Sequence, residues 1–158
     1  MMSNVDILEL NTEFVFRQRP EAIPGDLRPL WRIGLVLLML HMASRGGKSS
    51  FGKLHVLNWA LRSQEGRKAL LDILERRLSP NTVIVRIEPS LNRAVDLAHG
   101  EGLVKRNNGG IELTSQGRTE AKKILEQEDI YLQEKDFLAA AGKRMTEKLV
   151  KELFGGQD

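Results

Sequence analysis

The stretch LVKRNNGGIELT, residues 103 to 114, constrains the fold of this chain more than any other. Leu103 and Val104 lead into it, two asparagines and two glycines follow, and Ile111 begins an apolar return. Asn-Gly between apolar runs is a strong short-range signal for a β-hairpin, because tight turns need residues that tolerate positive φ. The sequence therefore predicts a two-stranded hairpin that turns at residues 107–110.

The residues before the hairpin predict three helices, a short β-rich run and a fourth helix. The run LWRIGLVLLMLHMA is apolar nearly all round, which is typical of a helix buried on most sides. The next two, FGKLHVLNWALRS and EGRKALLDILERRL, have apolar residues at helical spacing, and Ser49 or Ser50 can cap the first of them. TVIVRIEP favours a strand, and Pro89 can then start the fourth helix, SLNRAVDLAHGEG.

The two ends of the chain predict different structures. The N-terminal VDILELNTEFVFRQRP is predicted to be an extended arm or edge strand. After the hairpin, a helical region is predicted from Thr114 or Ser115 to the C-terminus. A helix this long cannot bury its whole apolar stripe on a small domain, so we expect part of it to bind a partner subunit; folding back onto its own core is the alternative. The residues of the stripe assigned to partner binding are Leu138, Met145, Leu149 and Leu153.

This order of elements resembles a winged-helix domain. The phrase AVDLAHGEGLVKRNNGGIELTSQGRTEAKKIL carries the likeness, since many such domains have a helix ending in Gly-Leu-Val, a two-stranded wing and then Leu-Thr-x-x-Gly-Arg. We expect an α+β fold that is mostly α. It comprises an N-terminal arm at residues 1–27, a winged-helix domain at 28–118 and a C-terminal helical extension at 119–158.

Charge is distributed unevenly along the chain. Residues 1–26 carry five acidic and two basic residues, whereas residues 27–64 carry six basic residues and no acidic one. Clustered cations can neutralise nucleic-acid phosphates or an acidic protein surface. The predicted contacts are Arg45, Lys48, Lys53 and Arg62, the last two on the exposed side of the second helix, together with Lys105 and Arg106 in the wing.

The helix before the wing has the opposite character. Between Glu88 and Glu101 it carries three acidic residues and a single basic one, Arg93. A duplex would repel such a surface, because its phosphates carry the same sign of charge. Base reading by this helix is therefore not expected, and contact with the phosphate backbone through the basic residues remains open.

The motif GGKSS at residues 46–50 does not match the chemistries that it superficially resembles. A phosphate-binding loop needs a glycine five positions before Gly-Lys and a strand ahead of it, but residue 42 is Met and a helix precedes. Ser50 and Lys53 have the Ser-x-x-Lys spacing of serine β-lactam-binding enzymes, yet the Ser-Asp-Asn and Lys-Thr-Gly sequences of those enzymes are absent. GGKSS is interpreted as a turn, with Lys48 as its functional candidate.

No catalytic, cofactor or metal site is predicted. His41, His55 and His99 fall in separate predicted helices without ligand-like spacing, and the chain has no cysteine. The longest apolar run is too short and too interrupted to span a bilayer, and the N-terminus lacks the positive charge of a secretory signal. We expect a cytoplasmic protein that is not an enzyme and has no membrane segment.

Residues 28–152 resemble the middle components of bacterial ABC-three component systems. The likeness rests on Arg28-x-x-Trp31-Arg32, GGKSSFGKLHVLNWALRS, the wing LVKRNNGGIELTSQGR and AAAGKRMTEKLV, and the run KLHVLNWA is its most distinctive part. In such systems a small winged-helix protein is encoded between an ATPase of the structural-maintenance-of-chromosomes (SMC) type and a variable third component. The resemblance implies a non-catalytic subunit that binds an SMC-like or Rad50-like ATPase and its effector, as in Lamassu-type defence against phages and plasmids.

Two functions therefore stay open at the level of sequence. The first is the accessory subunit just described, which touches double-stranded DNA without sequence preference. The second is a dimeric winged-helix transcription regulator, which would bind its own promoter in a sequence-dependent way.

Overall fold

The computed structural model describes residues 28–155 and has a mostly helical α+β fold. The predicted arm at residues 1–27 lies outside the described residues. Short 3-10 turns occur at Arg45–Gly47 and Pro80–Thr82. The elements in chain order are α1 Arg28–Met42, β1 Lys48–Ser50, α2 Phe51–Leu61, α3 Gln64–Leu74, α4 Pro89–Gly100, β2 Val104–Asn107, β3 Gly110–Leu113, α5 Ser115–Glu126, α6 Leu132–Ala141 and α7 Glu147–Leu153.

The three strands form one antiparallel sheet in the order β1-β3-β2. The predicted hairpin is confirmed: β2 pairs with β3, with Asn107 opposite Gly110 at the turn. Of the two connecting residues, Gly109 alone has a positive φ, 75°, which is the requirement of a type II turn. Strand β1 was not predicted, because the residues that hold it extended belong to β3, far along the chain.

Helix α1 occupies the centre of the core, as its all-round apolar sequence predicts. Val36, Leu38 and Met39 have no exposed surface, and the helix packs against α4, α5 and α6. Near its start, the Trp31 ring stacks on Tyr131 with the centroids 3.7 Å apart. The Tyr131 hydroxyl also donates to the Trp31 carbonyl at 2.7 Å. The chain between α5 and α6 is thereby fastened to the first turns of α1.

The prediction of one long helix after the hairpin is wrong, because the chain forms three helices there. Helix α5 ends at Glu126, followed by extended Gln127, and the residues that flank α6, Tyr131 and Gly142, have φ values of 50° and 57°. These breaks turn α6 and α7 back onto the rest of the molecule. Of the stripe assigned to partner binding, Leu138, Met145 and Leu153 are 0%, 5% and 3% exposed, and Leu149 packs against the same core.

The structure thus has the fold-back arrangement, in which this stripe contributes to the chain's own core. Helix α5 also runs continuously across the predicted boundary between residues 118 and 119. Buried residues of α5, α6 and α7 belong to one cluster with those of α1, α2 and α4. The helices after residue 118 are therefore an integral part of the packed unit.

The β-rich run TVIVRIEP also differs from its prediction. Residues 83–88 are extended but pair with none of the described strands. Ile84 and Ile87 are 79% and 59% exposed, while Val85 between them is buried. A β-favouring composition yields a strand only where a neighbouring strand can pair with it. Here the run serves as the connection between α3 and α4.

Candidate functional site

A cleft of about 480 Å³ lies among the turn that follows α1, the hairpin tip and the connection between α6 and α7. We call it the basic cleft, because its charged lining consists of four cations and one carboxylate. Polar side chains and backbone of β1 and of the hairpin turn complete the wall. The charged lining residues are Arg45, Lys48, Lys53, Lys143 and Glu147.

The turn that carries Arg45 and Lys48 depends on two glycines. Gly46 and Gly47 have φ values of 61° and 72°, a region that disfavours residues with a Cβ atom. Arg118 donates from its guanidinium to the Gly46 carbonyl at 2.8 Å and holds the turn against α5. This geometry places Arg45 and Lys48 on either side of one tight reversal, both exposed to solvent.

A third glycine, Gly110, allows the β2–β3 hairpin to approach β1. A Cβ atom at Gly110 would lie 2.6 Å from the carbonyl oxygen of Ser49. Contacts that short do not occur in folded proteins, so a larger residue would push the two strands apart. The close approach brings Asn108 and Gly109 of the hairpin turn to the wall of the basic cleft.

The floor of the basic cleft is the first turn of α2. Ser50 is the N-cap, as predicted: its side chain accepts from the Lys53 N–H at 3.1 Å. The same hydroxyl donates to the Glu147 carboxylate, with Oγ 2.9 and 3.1 Å from the two oxygens. One serine therefore links the start of α2 to the start of α7.

Lys53 does not lie on the exposed side of α2, contrary to the prediction. The residue is only 6% exposed, yet it lines the basic cleft. Burial lowers the pKa of its amine, nearby Glu147 raises that pKa, and Arg45 and Lys143 lower it further. Within the described residues, its Nζ atom has no hydrogen bond and no carboxylate at ion-pair distance.

The remaining predicted cations lie elsewhere and most have acidic partners. Arg62 pairs with Glu88 at the N-terminus of α4. Arg106 pairs with Asp96 on α4, and its guanidinium carbon lies 5.7 Å from the centroid of the Phe51 ring. Lys105 is exposed on β2 and stands opposite Glu112 in the register. The structure thus unites Arg45, Lys48 and Lys53, and separates Arg62, Lys105 and Arg106 from them.

Sequence reasoning missed Lys143 in the wall of the cleft and two further cations nearby. Arg118 and Lys122 on α5, together with Lys143, lower the pKa of His41, after the larger effect of burial. All three belong to helices or connections late in the chain. Lys143 shares the cleft with Arg45 and Arg118 bonds the same turn because of the way the chain folds back after the hairpin, for which no local pattern gave a signal.

A second cleft, of about 590 Å³, lies between the end of α3 and α7 and also has basic residues in its wall. Two of its three arginines have partners: Arg77 bonds Asp72 at 3.3 Å and Arg144 bonds Glu75 at 2.6 Å. Arg76 and Lys148 also line this cleft and have no carboxylate partner within the described residues. A hydrogen bond from Lys68 and, to a lesser degree, the pair with Arg77 lower the pKa of Asp72, and Arg144 lowers the pKa of Glu75. The larger cleft therefore has less unbalanced positive charge than the basic cleft.

The histidines were weighed as candidates for chemistry. His55 is buried, burial lowers its pKa, and a hydrogen bond with Asn92 opposes that effect. His41 is half-buried and His99 exposed. Among residues 28–155, no three His, Cys, Asp or Glu side chains are grouped closely enough to hold a metal ion. The basic cleft, by contrast, offers electrostatic attraction of an anion.

None of the described helices has both the length and the apolar character that crossing a bilayer requires. We compared the chain with models of protein families, with curated proteins and with solved structures, and found no match.

Proposed function

We propose that this protein is a non-catalytic, cytoplasmic winged-helix subunit that docks on an SMC-like or Rad50-like ATPase and helps to assemble it with an effector. It contacts double-stranded DNA through the basic cleft, without reading its sequence. The observation that carries the DNA contact is the group Arg45, Lys48 and Lys143, three cations without a carboxylate partner in the described structure. The ATPase partnership rests on the resemblance to the middle components of ABC-three component systems.

The topology supports the winged-helix part of the proposal. A winged helix places a helix, a strand and two further helices before its hairpin, and its first strand pairs with the last. Here α1, β1, α2 and α4 precede the hairpin, and the sheet order β1-β3-β2 joins the first strand to the last. In this interpretation α3 is an insertion between α2 and α4, and the β2–β3 hairpin is the wing.

Contact without sequence reading follows from the charges on α4. Phosphate contacts position a protein on DNA, whereas base contacts in a groove specify the sequence. In a winged helix the helix before the wing makes those base contacts. Arg106 on β2 forms an ion pair with Asp96 on α4. Within α4 itself, Arg93 is the single Lys or Arg residue. The cations available to phosphates lie instead beside the wing turn, in the basic cleft.

The decisive experiment for the subunit role is to search the gene neighbourhood for an SMC-like ATPase and to co-express that ATPase with this protein. We expect the two proteins to co-purify at constant stoichiometry through size exclusion in high salt. High salt matters because it removes bridging by contaminating nucleic acid. A pair that separates completely would overturn the subunit role.

The alternative function is a dimeric winged-helix transcription regulator. Ile84 and Ile87 are large apolar side chains exposed on an unpaired extended segment, which a second copy of the chain could cover. This function predicts a dimer in sedimentation and tight, sequence-dependent binding to the chain's own promoter. A monomer that binds promoter and random duplexes equally would exclude it.

A further inference from the structure

We infer that the basic cleft holds a single phosphate group beside Lys53, and that the carboxylate of Glu147 competes with this phosphate for the first turn of α2. Glu147 then sets the affinity of the cleft. The inference deepens the proposed function, on which it rests for the source of the phosphate, a DNA phosphodiester. Lys53, Ser50 and Glu147 carry it.

The first step is the environment of Lys53. Removing an ammonium group from water is costly unless an anion or hydrogen-bond acceptors compensate it. Lys53 is 94% buried, since 6% of its surface is exposed. The burial is mainly that of the alkyl stem, since the Nζ atom keeps some solvent contact where the side chain lines the basic cleft. No hydrogen bond or ion pair within the described residues compensates this partly desolvated atom. A cation in this position is suited to an anion that enters from the cleft.

The second step concerns the anion already present. The Glu147 carboxylate bonds the Ser50 hydroxyl at the N-terminus of α2, a helix of 11 residues. Partial positive charge at a helix N-terminus favours an anion there. Glu147 is nevertheless not within ion-pair distance of Lys53, so it satisfies the helix terminus without neutralising the lysine. A phosphate, with more acceptor oxygens than a carboxylate, can reach both.

The third step is the freedom of Glu147 to leave. Helix α7 does not depend on the Glu147 side chain, because Thr146 caps it by accepting from the Leu149 N–H at 3.1 Å. Val150 and Leu153 anchor the helix in the core. Val150 also packs so closely on α2 that a Cβ atom at Gly52 would lie 3.0 Å from it. Glu147 is itself exposed, so a side-chain rotation suffices to clear the Ser50 hydroxyl.

The test compares Glu147→Gln with Glu152→Gln, a matched control on the same helix that removes the same charge outside the basic cleft. The probe is a short duplex of random sequence, and its affinity is measured by fluorescence anisotropy at one fixed salt concentration. We expect Glu147→Gln to tighten binding by about fivefold and Glu152→Gln by less than about twofold, because only the former removes a competing anion. Equal effects of the two substitutions would overturn the inference.

Lys53→Met, alone and combined with Glu147→Gln, completes a double-mutant cycle. We expect Lys53→Met to weaken duplex binding by about tenfold. In its presence Glu147→Gln should tighten binding by less than about twofold, since the effects of coupled residues are not additive. Full additivity would also overturn the inference. Thermal unfolding of each variant confirms that the fold is retained, and Glu147→Gln, at an exposed position, is the variant least expected to disturb it.

Inorganic phosphate is the second probe and separates the two sources of the anion. Amide chemical shifts of residues 50–53 that move with phosphate in the wild type, and further in Glu147→Gln, support a phosphate site independently of DNA. Shifts that move only with the duplex support a site for a phosphodiester. No shift with either probe would overturn the inference. The ATPase co-purification is unaffected by these outcomes, so failure of the subunit role is recognised separately.

Discussion

The basic cleft and the surroundings of α4 contain cations drawn from the same predicted set, but in opposite electrostatic settings. In the cleft, Arg45 and Lys48 are exposed and Lys53 is buried, and none of the three has a carboxylate partner among residues 28–155. At α4, Arg62 and Arg106 each bond a carboxylate, Glu88 and Asp96 respectively. The sequence does not distinguish the two groups, because each acidic partner is separated in the chain from the arginine that it neutralises.

The difference shows that cation pairing, rather than cation content, decides where an anion can bind. A carboxylate at contact distance cancels most of the field of an arginine beyond about a Debye length, roughly 8–10 Å in physiological salt. Such surface pairs contribute little to stability, about 0–1 kcal/mol. Their main effect near α4 is therefore electrostatic: each pair leaves neither the arginine nor the carboxylate free to attract a further charged group.

The largest expected effect is a loss of stability where the hairpin meets β1 at the wall of the basic cleft. Gly110→Ala places a Cβ atom 2.6 Å from the Ser49 carbonyl oxygen and should reduce the free energy of unfolding by about 2–4 kcal/mol through strain between β1 and β3. The measurement is chemical denaturation. The matched control is Gly100→Ala on α4, where nothing lies within 4 Å of the new Cβ atom; it should be neutral or stabilising. Similar losses in both variants would contradict this account of the hairpin.

The next effect separates the two cation groups in binding. Lys48→Met combined with Lys143→Met should weaken binding to a random duplex by about 10- to 100-fold. The slope of log K against log salt should become shallower by about 0.9 for each phosphate that the protein no longer neutralises. Arg62→Gln combined with Arg106→Gln removes the same charge at α4 and should change affinity by less than about threefold. If the Arg62 and Arg106 substitutions weakened binding more than the Lys48 and Lys143 substitutions, the duplex would bind beside α4 instead.

A smaller effect concerns stability at Lys53. Lys53→Met removes a buried amine and should raise the free energy of unfolding by about 1 kcal/mol at neutral pH, even as it weakens binding. Burial lowers the pKa of Lys53 in the folded protein below the ordinary 10.5. At a pH between the folded-state and unfolded-state pKa values, the unfolded chain therefore binds more protons than the folded chain. The free energy of unfolding of the wild type should therefore rise as the pH rises through that interval and Lys53 loses its proton. Denaturation curves of both proteins over the alkaline range measure the difference, and a destabilised Lys53→Met would contradict it.

The smallest expected effect is on duplex affinity and concerns the ion pair between Arg106 and Asp96. Asp96→Asn removes the carboxylate partner of Arg106 and should strengthen duplex binding by about twofold, since one cation becomes available to phosphates. Asp136→Asn on α6, exposed and away from α4, is the charge-matched control. Anisotropy titrations at low salt resolve the difference, and an equal gain in the control would show that only net charge matters.

Much of the helical and hairpin structure could be predicted because its signals are local. Pro89 starts α4, and Ser50 and Thr114 cap α2 and α5, where short polar side chains accept from free amides. The all-round apolar run predicted a buried α1. In the hairpin, asparagine and glycine at the turn determined the register of β2 and β3.

The features that escaped prediction depend on distant residues. Strand β1 is extended because β3 pairs with it. The apolar stripe from Leu138 to Leu153 is equally compatible with a partner subunit and with a fold-back, since periodicity shows that a face is buried but not what covers it. Lys143 lines the same cleft as Lys53 only because α6 and α7 return to α2. Each of these outcomes needed contacts between segments that no local window contains.

By itself, the sequence determined where most helices begin, where the hairpin turns and which stretch has no acidic residue, because capping, turn conformation and composition act over a few neighbouring positions. The tertiary structure alone decided which cations are paired and which are not. A carboxylate neutralises whichever cation the fold brings within about 4 Å, since the interaction depends on distance in space and on burial. GGKSS therefore became part of an anion-attracting cleft only because the fold placed Lys143 and the hairpin turn beside it.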